Sequence, residues 1–160
     1  MAAFWRNAID DEDADQAWQD CMDVNARGAF NMVTAFADQL RTTKGNIINM
    51  TSITAFVAAR TFPGYAASKA AVVAMTRALA AKMAADGVRV NSVAPGPFAT
   101  PMTASTLANK CTGDYYTNRV LLGRFGKPEE IVGPVAFMAS DMASFVTGTT
   151  LVVDGGLLAE

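Results

Sequence analysis

The sequence predicts an α/β fold built on a parallel sheet, and three observations carry that expectation. Long stretches with helical periodicity alternate with short strand-like runs; each run ends in polar or turn residues; and the order helix, strand, helix, strand, loop with helix, helix, strand is that of an α/β layer structure. In order, Trp18, Met22, Asn25, Ala29, Val33, Phe36 and Leu40 recur at steps of four and three, which is one face of a helix of about seven turns. Thr42-Thr43-Lys44-Gly45 breaks the pattern. Asn46 to Ser52 then reads as a buried parallel strand with its polar residues at the C-terminal end. A loop through Ala58, Arg60, Pro63 and Gly64 leads to an Ala-rich helix over Tyr65 to Ala85, stopped by Asp86-Gly87. Val88 to Val93 alternates into a second strand, closed by Ala94-Pro95-Gly96-Pro97. Residues 97 to 127 read as irregular with short helices. Pro128-Glu129-Glu130 opens a helix running to about Ser140, and Thr149 to Val153 is a third strand. Right-handed crossovers follow for strands joined in this way.

Composition limits the chemistry. One domain, residues 1–160, is expected from 160 residues that are 51% hydrophobic. Thirteen basic against fifteen acidic residues leave a net charge of −2 and no basic stripe, so a nucleic-acid partner is not expected. Apolar stretches such as Ala70 to Met75 are far shorter than a membrane span, and the opening residues lack a signal-peptide core, so a membrane partner is not expected. Cys21 and Cys111 form no CxxC, which suits a reducing cytoplasm. With no histidine, triads and zinc sites built on that residue are excluded, and no metal is expected. Proton chemistry falls to carboxylates, Lys, Tyr or Cys. The acidic run Asp10 to Asp15 is read as a solvated helix start rather than a metal loop, and the methionines as core filling.

Tyr65 and Lys69 stand four residues apart, on one helix face and about 6 Å apart at Cβ. At that separation the Coulomb attraction is about 3 kcal/mol, enough to lower a phenol by about two pKa units and make Tyr65 a general acid or base. Alone, such a pair is usually a packed Tyr beside a solvated Lys. Ser52, however, lies thirteen residues earlier at the C-terminal end of a predicted parallel strand, where open α/β sheets bind ligands. Its hydroxyl there can hold a substrate carbonyl, or it can simply cap a loop. Asn25, polar on an apolar stripe, needs partners if buried.

The set Asp23-Val-Asn25, Gly45 to Ser52, Tyr65-Ala-Ala-Ser-Lys69, Arg89 to Gly96 and Asp154-Gly-Gly156 resembles the short-chain dehydrogenase/reductases, in order and spacing, from about Trp18 to the C-terminus. The resemblance implies the C-terminal part of a Rossmann-type doubly wound parallel sheet with helices on both faces. It implies a catalytic tetrad of Asn25, Ser52, Tyr65 and Lys69: Tyr65 as acid/base, Ser52 orienting the carbonyl or hydroxyl, Lys69 lowering the Tyr65 pKa and holding the nicotinamide ribose, Asn25 supporting a proton-relay water. Tyr65, Lys69, Pro95, Gly96, Phe98 and Thr100 are implied to contact NAD or NADP. Hydride transfer between that cofactor and a small-molecule secondary alcohol or ketone is implied, with a sugar acid or polyol favoured from the ending Phe145 to Ala159 and from Pro97 to Met102. A 3-oxoacyl carrier-protein reductase, or a truncated non-catalytic remnant serving as an interaction module, are the alternatives. The resemblance also implies a homo-oligomer, dimer or tetramer, formed over the first two helices.

None of the twelve glycines forms the Gly-rich turn that receives a cofactor pyrophosphate after a first strand. On the family's plan the chain starts about eighty to ninety residues late, and the strand ending at Ser52 is expected to pair on one side only. The residue that chooses NAD or NADP falls in the portion not seen here.

Overall fold

Two strongly helical stretches and three short strands organise the computed structural model, which describes residues 11–58 and 61–159. Asp10 in the acidic run and Arg60 in the loop before the second long helix lie outside the described residues. The chain runs through α1 (Ala14–Cys21), a π-helical turn (Met22–Arg27), α2 (Gly28–Thr43), β1 (Asn46–Met50), α3 (Pro63–Met83), β2 (Arg89–Pro95), α4 (Ala104–Ala108), α5 (Lys110–Arg119), α6 (Val132–Ala139) and β3 (Thr150–Val153). All three strands are parallel, in the order β1-β2-β3, with Asn46 opposite Arg89 and Ser92 opposite Thr150. Among the described residues β1 pairs with β2.

Alternation along the strands sorts the helices onto the two faces of the sheet. Ile47 and Val90 pack with Val33 of α2 and with Ala80 and Met83 of α3, and the Asn49 amide donates to Thr76 Oγ1 of α3 at 3.0 Å. Asn46 and Arg89 point the other way. The Asn46 amide donates to Ala139 O (3.0 Å), and Arg89 donates to Met138 O and Ser140 O (3.1 and 3.2 Å). A cation thereby satisfies orphan carbonyls at the C-terminal end of α6. Burial of β2 is complete from Val90 to Ala94, as befits the central strand. No helix among the described residues is long and apolar enough to cross a membrane.

The single seven-turn stripe expected from Trp18 to Leu40 is corrected by the structure. Trp18 and Phe36 are exposed, while Ala17 and Cys21 are buried. The π turn at Met22–Arg27 is the reason: its Gly28 amide bonds to Asp23 O, five residues back, so the turn holds more residues than an α turn and rotates the buried face. Before it the buried positions are Ala17 and Cys21; after it they pass through Val33. The second helix begins at Pro63, two residues before the expected start, because Pro at its first position needs no amide partner. Residues 97 to 127 contain α4 and α5, which form the short helices expected there.

Candidate active site

Ser52, Tyr65, Lys69 and Asn25 meet where β1 ends and α3 begins. Immediately after β1 the chain turns, and Ser52, buried and extended, caps a 3₁₀ turn over Ile53–Ala55; its Oγ accepts from the Thr54 amide at 3.2 Å. Thr51, one residue earlier, points away: its hydroxyl donates to Val93 O of β2 at 2.9 Å. Tyr65 and Lys69 occupy the first two turns of α3 and face that strand end. The Tyr65 and Ser52 side chains are hydrogen-bonded to one another. Lys69 Nζ donates to Met50 O at 3.1 Å and stands 5.7 Å from the centre of the Tyr65 ring. Close approach of α1 to this end of α3 requires a bare backbone at Gly64, where a Cβ would fall 2.6 Å from the Phe62 ring and 3.2 Å from Trp18 Cα.

Asn25 reaches this group indirectly. The π turn sets it against α3, where its amide donates to Ser68 Oγ at 3.0 Å; that hydroxyl donates in turn to Tyr65 O at 2.8 Å. Ser68 is fully buried. Sequence reasoning passed over it, although it sits inside Tyr65-Ala-Ala-Ser-Lys69 one residue before the lysine. It also passed over Cys21, which packs with Ala17, Phe62 and Tyr65 behind the ring. Burial pushes its thiol pKa up, and Asp20 adds to that.

Electrostatics here overturn one expectation. Burial pushes the Tyr65 phenol above its ordinary value, and the hydrogen bond with Ser52 offsets only part of that rise. Lys69 is itself held below the usual lysine range by burial. The spacing had suggested that Lys69 lowers the phenol. Partial burial of the two side chains sets both directions, and the ammonium directs a donor at Met50 O.

Pro95, Gly96, Phe98 and Thr100 leave β2 along the same C-terminal edge of the sheet. Gly96 donates to Val153 O at 2.9 Å, and a Cβ there would lie 2.6 Å from Asp154 Cα, so only glycine fits between β2 and the segment after β3. Phe98 lies on Gly126, and Thr103 Oγ1 gathers this segment by bonding Phe98 O, Thr100 O and the Thr100 amide. A cavity of about 80 Å³ joins the two halves, lined among others by Ser52, Thr54, Gly96, Thr106, Tyr116 and Phe125. A second, of about 90 Å³, lies beside Pro97, Phe98 and Asp154. Its rim holds a bidentate Arg124–Glu130 pair, both contacts 2.7 Å, which with the Lys127 amide brings the Glu130 carboxyl down to about 2. No cluster of three or more metal-ligating side chains occurs among the described residues.

The nicotinamide end of a dinucleotide fits what is present: an ammonium and two hydroxyls at the sheet's C-terminal edge, beside the bare backbone of Gly96. A family model described as enoyl-(acyl carrier protein) reductase matches residues 1–158. A 3-oxoacyl-[acyl-carrier-protein] reductase of Thermotoga maritima is 37% identical, over 98% of this chain and 63% of its own length. A 2-dehydro-3-deoxy-D-gluconate 5-dehydrogenase of Dickeya dadantii is also 37% identical, over 93% of this chain and 60% of its own. Among solved structures, a gluconate 5-dehydrogenase from Burkholderia cenocepacia in complex with NADP and tartrate superposes with a TM-score of 0.92 at 35% identity, over 99% of this chain and 63% of that one. The chain thus spans somewhat less than two thirds of the length of these relatives.

Proposed function

This chain belongs to the short-chain dehydrogenase/reductase family, and from that membership we propose that it carries the proton-transfer site of a nicotinamide-dependent oxidoreductase acting on a secondary alcohol or ketone. The hydrogen-bonded Ser52–Tyr65 pair at the C-terminal edge of a parallel sheet, with Lys69 beside the ring, is the observation that carries this reading. NAD or NADP, when bound, supplies or accepts the hydride. Tyr65, Lys69, Pro95, Gly96, Phe98 and Thr100 are the residues proposed to hold its nicotinamide end; the choice between the two cofactors is left open by these residues.

In the reducing direction, Ser52 Oγ orients the substrate carbonyl by a hydrogen bond. As hydride adds to the carbon, the C=O π pair moves onto oxygen and takes the proton from Tyr65 Oη, giving the alcohol. The raised phenol pKa keeps that proton in place at neutral pH. Oxidation runs the same steps in reverse, with phenolate as base. Lys69 neutralises the phenolate as it forms, and Asn25, held through Ser68, is proposed to support the water by which the proton is exchanged. A sugar acid or polyol is the favoured substrate class, supported by the gluconate-type relatives and by a cavity in which hydroxyls stand beside aromatic rings. The Thermotoga relative favours a second reading, reduction of 3-oxoacyl thioesters. Exposed Val24, Phe30, Met32 and Phe36 support a homo-oligomer over the helical face.

Tyr65→Phe in the protein as its own gene encodes it tests the reading. The variant is expected to lose about 100- to 10,000-fold in kcat/KM, followed by nicotinamide absorbance. Ser52→Ala is expected to fall comparably, and Thr51→Ala to be mild because its hydroxyl serves β2. Activity surviving Tyr65→Phe, or Thr51→Ala crippling while Ser52→Ala is harmless, overturns the assignment. Failure on hexonates and polyols together with rapid reduction of 3-oxoacyl thioesters selects the second reading. No cofactor binding by the purified protein would leave an interaction module.

A further inference from the structure

Thr54 Oγ1 is the single buried side-chain nitrogen or oxygen without a hydrogen-bond partner among the described residues. Thr54 lies on the 3₁₀ turn capped by Ser52, its amide donates to Ser52 Oγ, and both residues line the 80 Å³ cavity. An unpaired buried hydroxyl lowers stability, so its survival beside a reactive pair calls for a partner that arrives from outside. The staggered alternatives of a threonine exchange its hydroxyl and methyl, which lets Oγ1 swing into the cavity when such a partner enters. The cavity is about half the size of one that admits benzene, at ~150 Å³, so it receives the reacting end of a substrate rather than a whole one.

We propose that Thr54 is a specificity-determining residue that hydrogen-bonds a hydroxyl on the carbon next to the one being oxidised or reduced. The inference rests on the hydride-transfer reading above. Ser52 and Thr54 sit within one turn, so the group met by Thr54 is a near neighbour of the oxygen met by Ser52. An α-hydroxy ketone or vicinal diol offers that pair; a simple ketone leaves Thr54 unsatisfied. Sites that hydrogen-bond a substrate hydroxyl reject the analogue lacking it because the protein group is stranded.

Reduction of acetoin and of 2-butanone, which differ by one hydroxyl on the neighbouring carbon, is the direct test, run on wild type, Thr54→Val and Thr54→Ser of the protein as its gene encodes it. Thr54→Val is expected to lower kcat/KM for acetoin about five- to tenfold and leave 2-butanone unchanged, while Thr54→Ser keeps the acetoin rate. Without ligand, Thr54→Val is expected to melt about 2–4 °C higher, since a near-isosteric methyl replaces the unpaired hydroxyl. A loss shared by both ketones, or seen with neither, overturns the proposal. If wild type turns over neither ketone, the hydride-transfer reading is judged by the Tyr65→Phe assay above, and Thr54 is decided by melting in saturating acetoin. Acetoin stabilising wild type more than Thr54→Val supports the proposal, and equal stabilisation overturns it.

Discussion

Replacing Ser68 by alanine deletes one oxygen at a fully buried position, and its consequences can be worked from the surrounding bonds. Ser68 Oγ accepts from Asn25 Nδ2 at 3.0 Å and donates to Tyr65 O at 2.8 Å. The first bond joins the π turn to α3; the second lies within α3. A buried hydrogen bond contributes about 0.5–1.5 kcal/mol, and a stranded partner adds the cost of its own desolvation, so Ser68→Ala is expected to destabilise by about 1–3 kcal/mol. For a chain of this size that corresponds to a melting point lower by about 3–9 °C. A double-mutant cycle with Asn25→Ala, measured by urea unfolding, isolates the helix-to-helix bond: a coupling of about 0.5–1.5 kcal/mol is expected. Additivity to within about 0.3 kcal/mol would show that Asn25 and Ser68 do not hold one another, and the account of how Asn25 is positioned would fall.

Three further outcomes follow from the same geometry. The Glu130 carboxyl, held near 2 first by its hydrogen bond to Arg124, contributes stability that is complete above its ordinary value of 4.5 and is lost as pH falls toward 2; Glu130→Gln is expected to flatten that acid limb in a melting-temperature series from neutral pH downward, and an unchanged limb refutes it. Because burial raises the Tyr65 phenol, reduction is expected to hold level through neutral pH and decline only on the alkaline side, while oxidation climbs there; Ser52→Ala, which removes the bond that lowers the phenol, is expected to move the limb to higher pH, and a shift downward refutes the assignment. The 160 residues alone are expected to bind NAD(H) or NADP(H) with Kd above about a millimolar, since they supply nicotinamide-side groups and none of the Gly-rich turn that takes the pyrophosphate, and micromolar binding by calorimetry would refute this.

What could be read from the sequence, and what could not, divides along a physical line. The parallel strands were legible because Ile47-Ile48 is a short apolar run ending in polar residues and Val88 to Val93 alternates into a turn at Pro95-Gly96, and α3 because its Ala-rich run lies between a Pro start and a Gly stop. Ser52, Tyr65 and Lys69 were legible because chain spacing alone sets them at a strand end and on one helical face. The π turn was not, since an extra residue inside a helix leaves composition and polarity unaltered and shifts only the phase, which surfaces when Ala17 and Cys21 are found buried in place of Trp18 and Met22. Ser68 and Thr54 were hidden for a related reason: a serine or threonine looks the same whether its hydroxyl meets water, an asparagine from another helix, or nothing.

The phenol of Tyr65 shows why spacing can misjudge an electrostatic sign. An i, i+4 Tyr–Lys pair fixes a Coulomb attraction, but the attraction is only one side of a balance whose other side is the loss of hydration by both groups. Moving the pair inward strengthens the attraction and the penalty together. Here the penalty prevails for each residue separately: the phenol holds its proton more tightly than in water, and the ammonium less tightly. The lysine's donor is also directed at Met50 O, so part of its hydrogen-bonding capacity fastens α3 to the end of β1 rather than serving the phenol. On the proposed reading, burial favours the protonated, proton-donating form of Tyr65. Rising pH frees the phenolate to act as base and Lys69 neutralises it as it forms, so on that reading the direction of proton transfer follows the phenol's own titration.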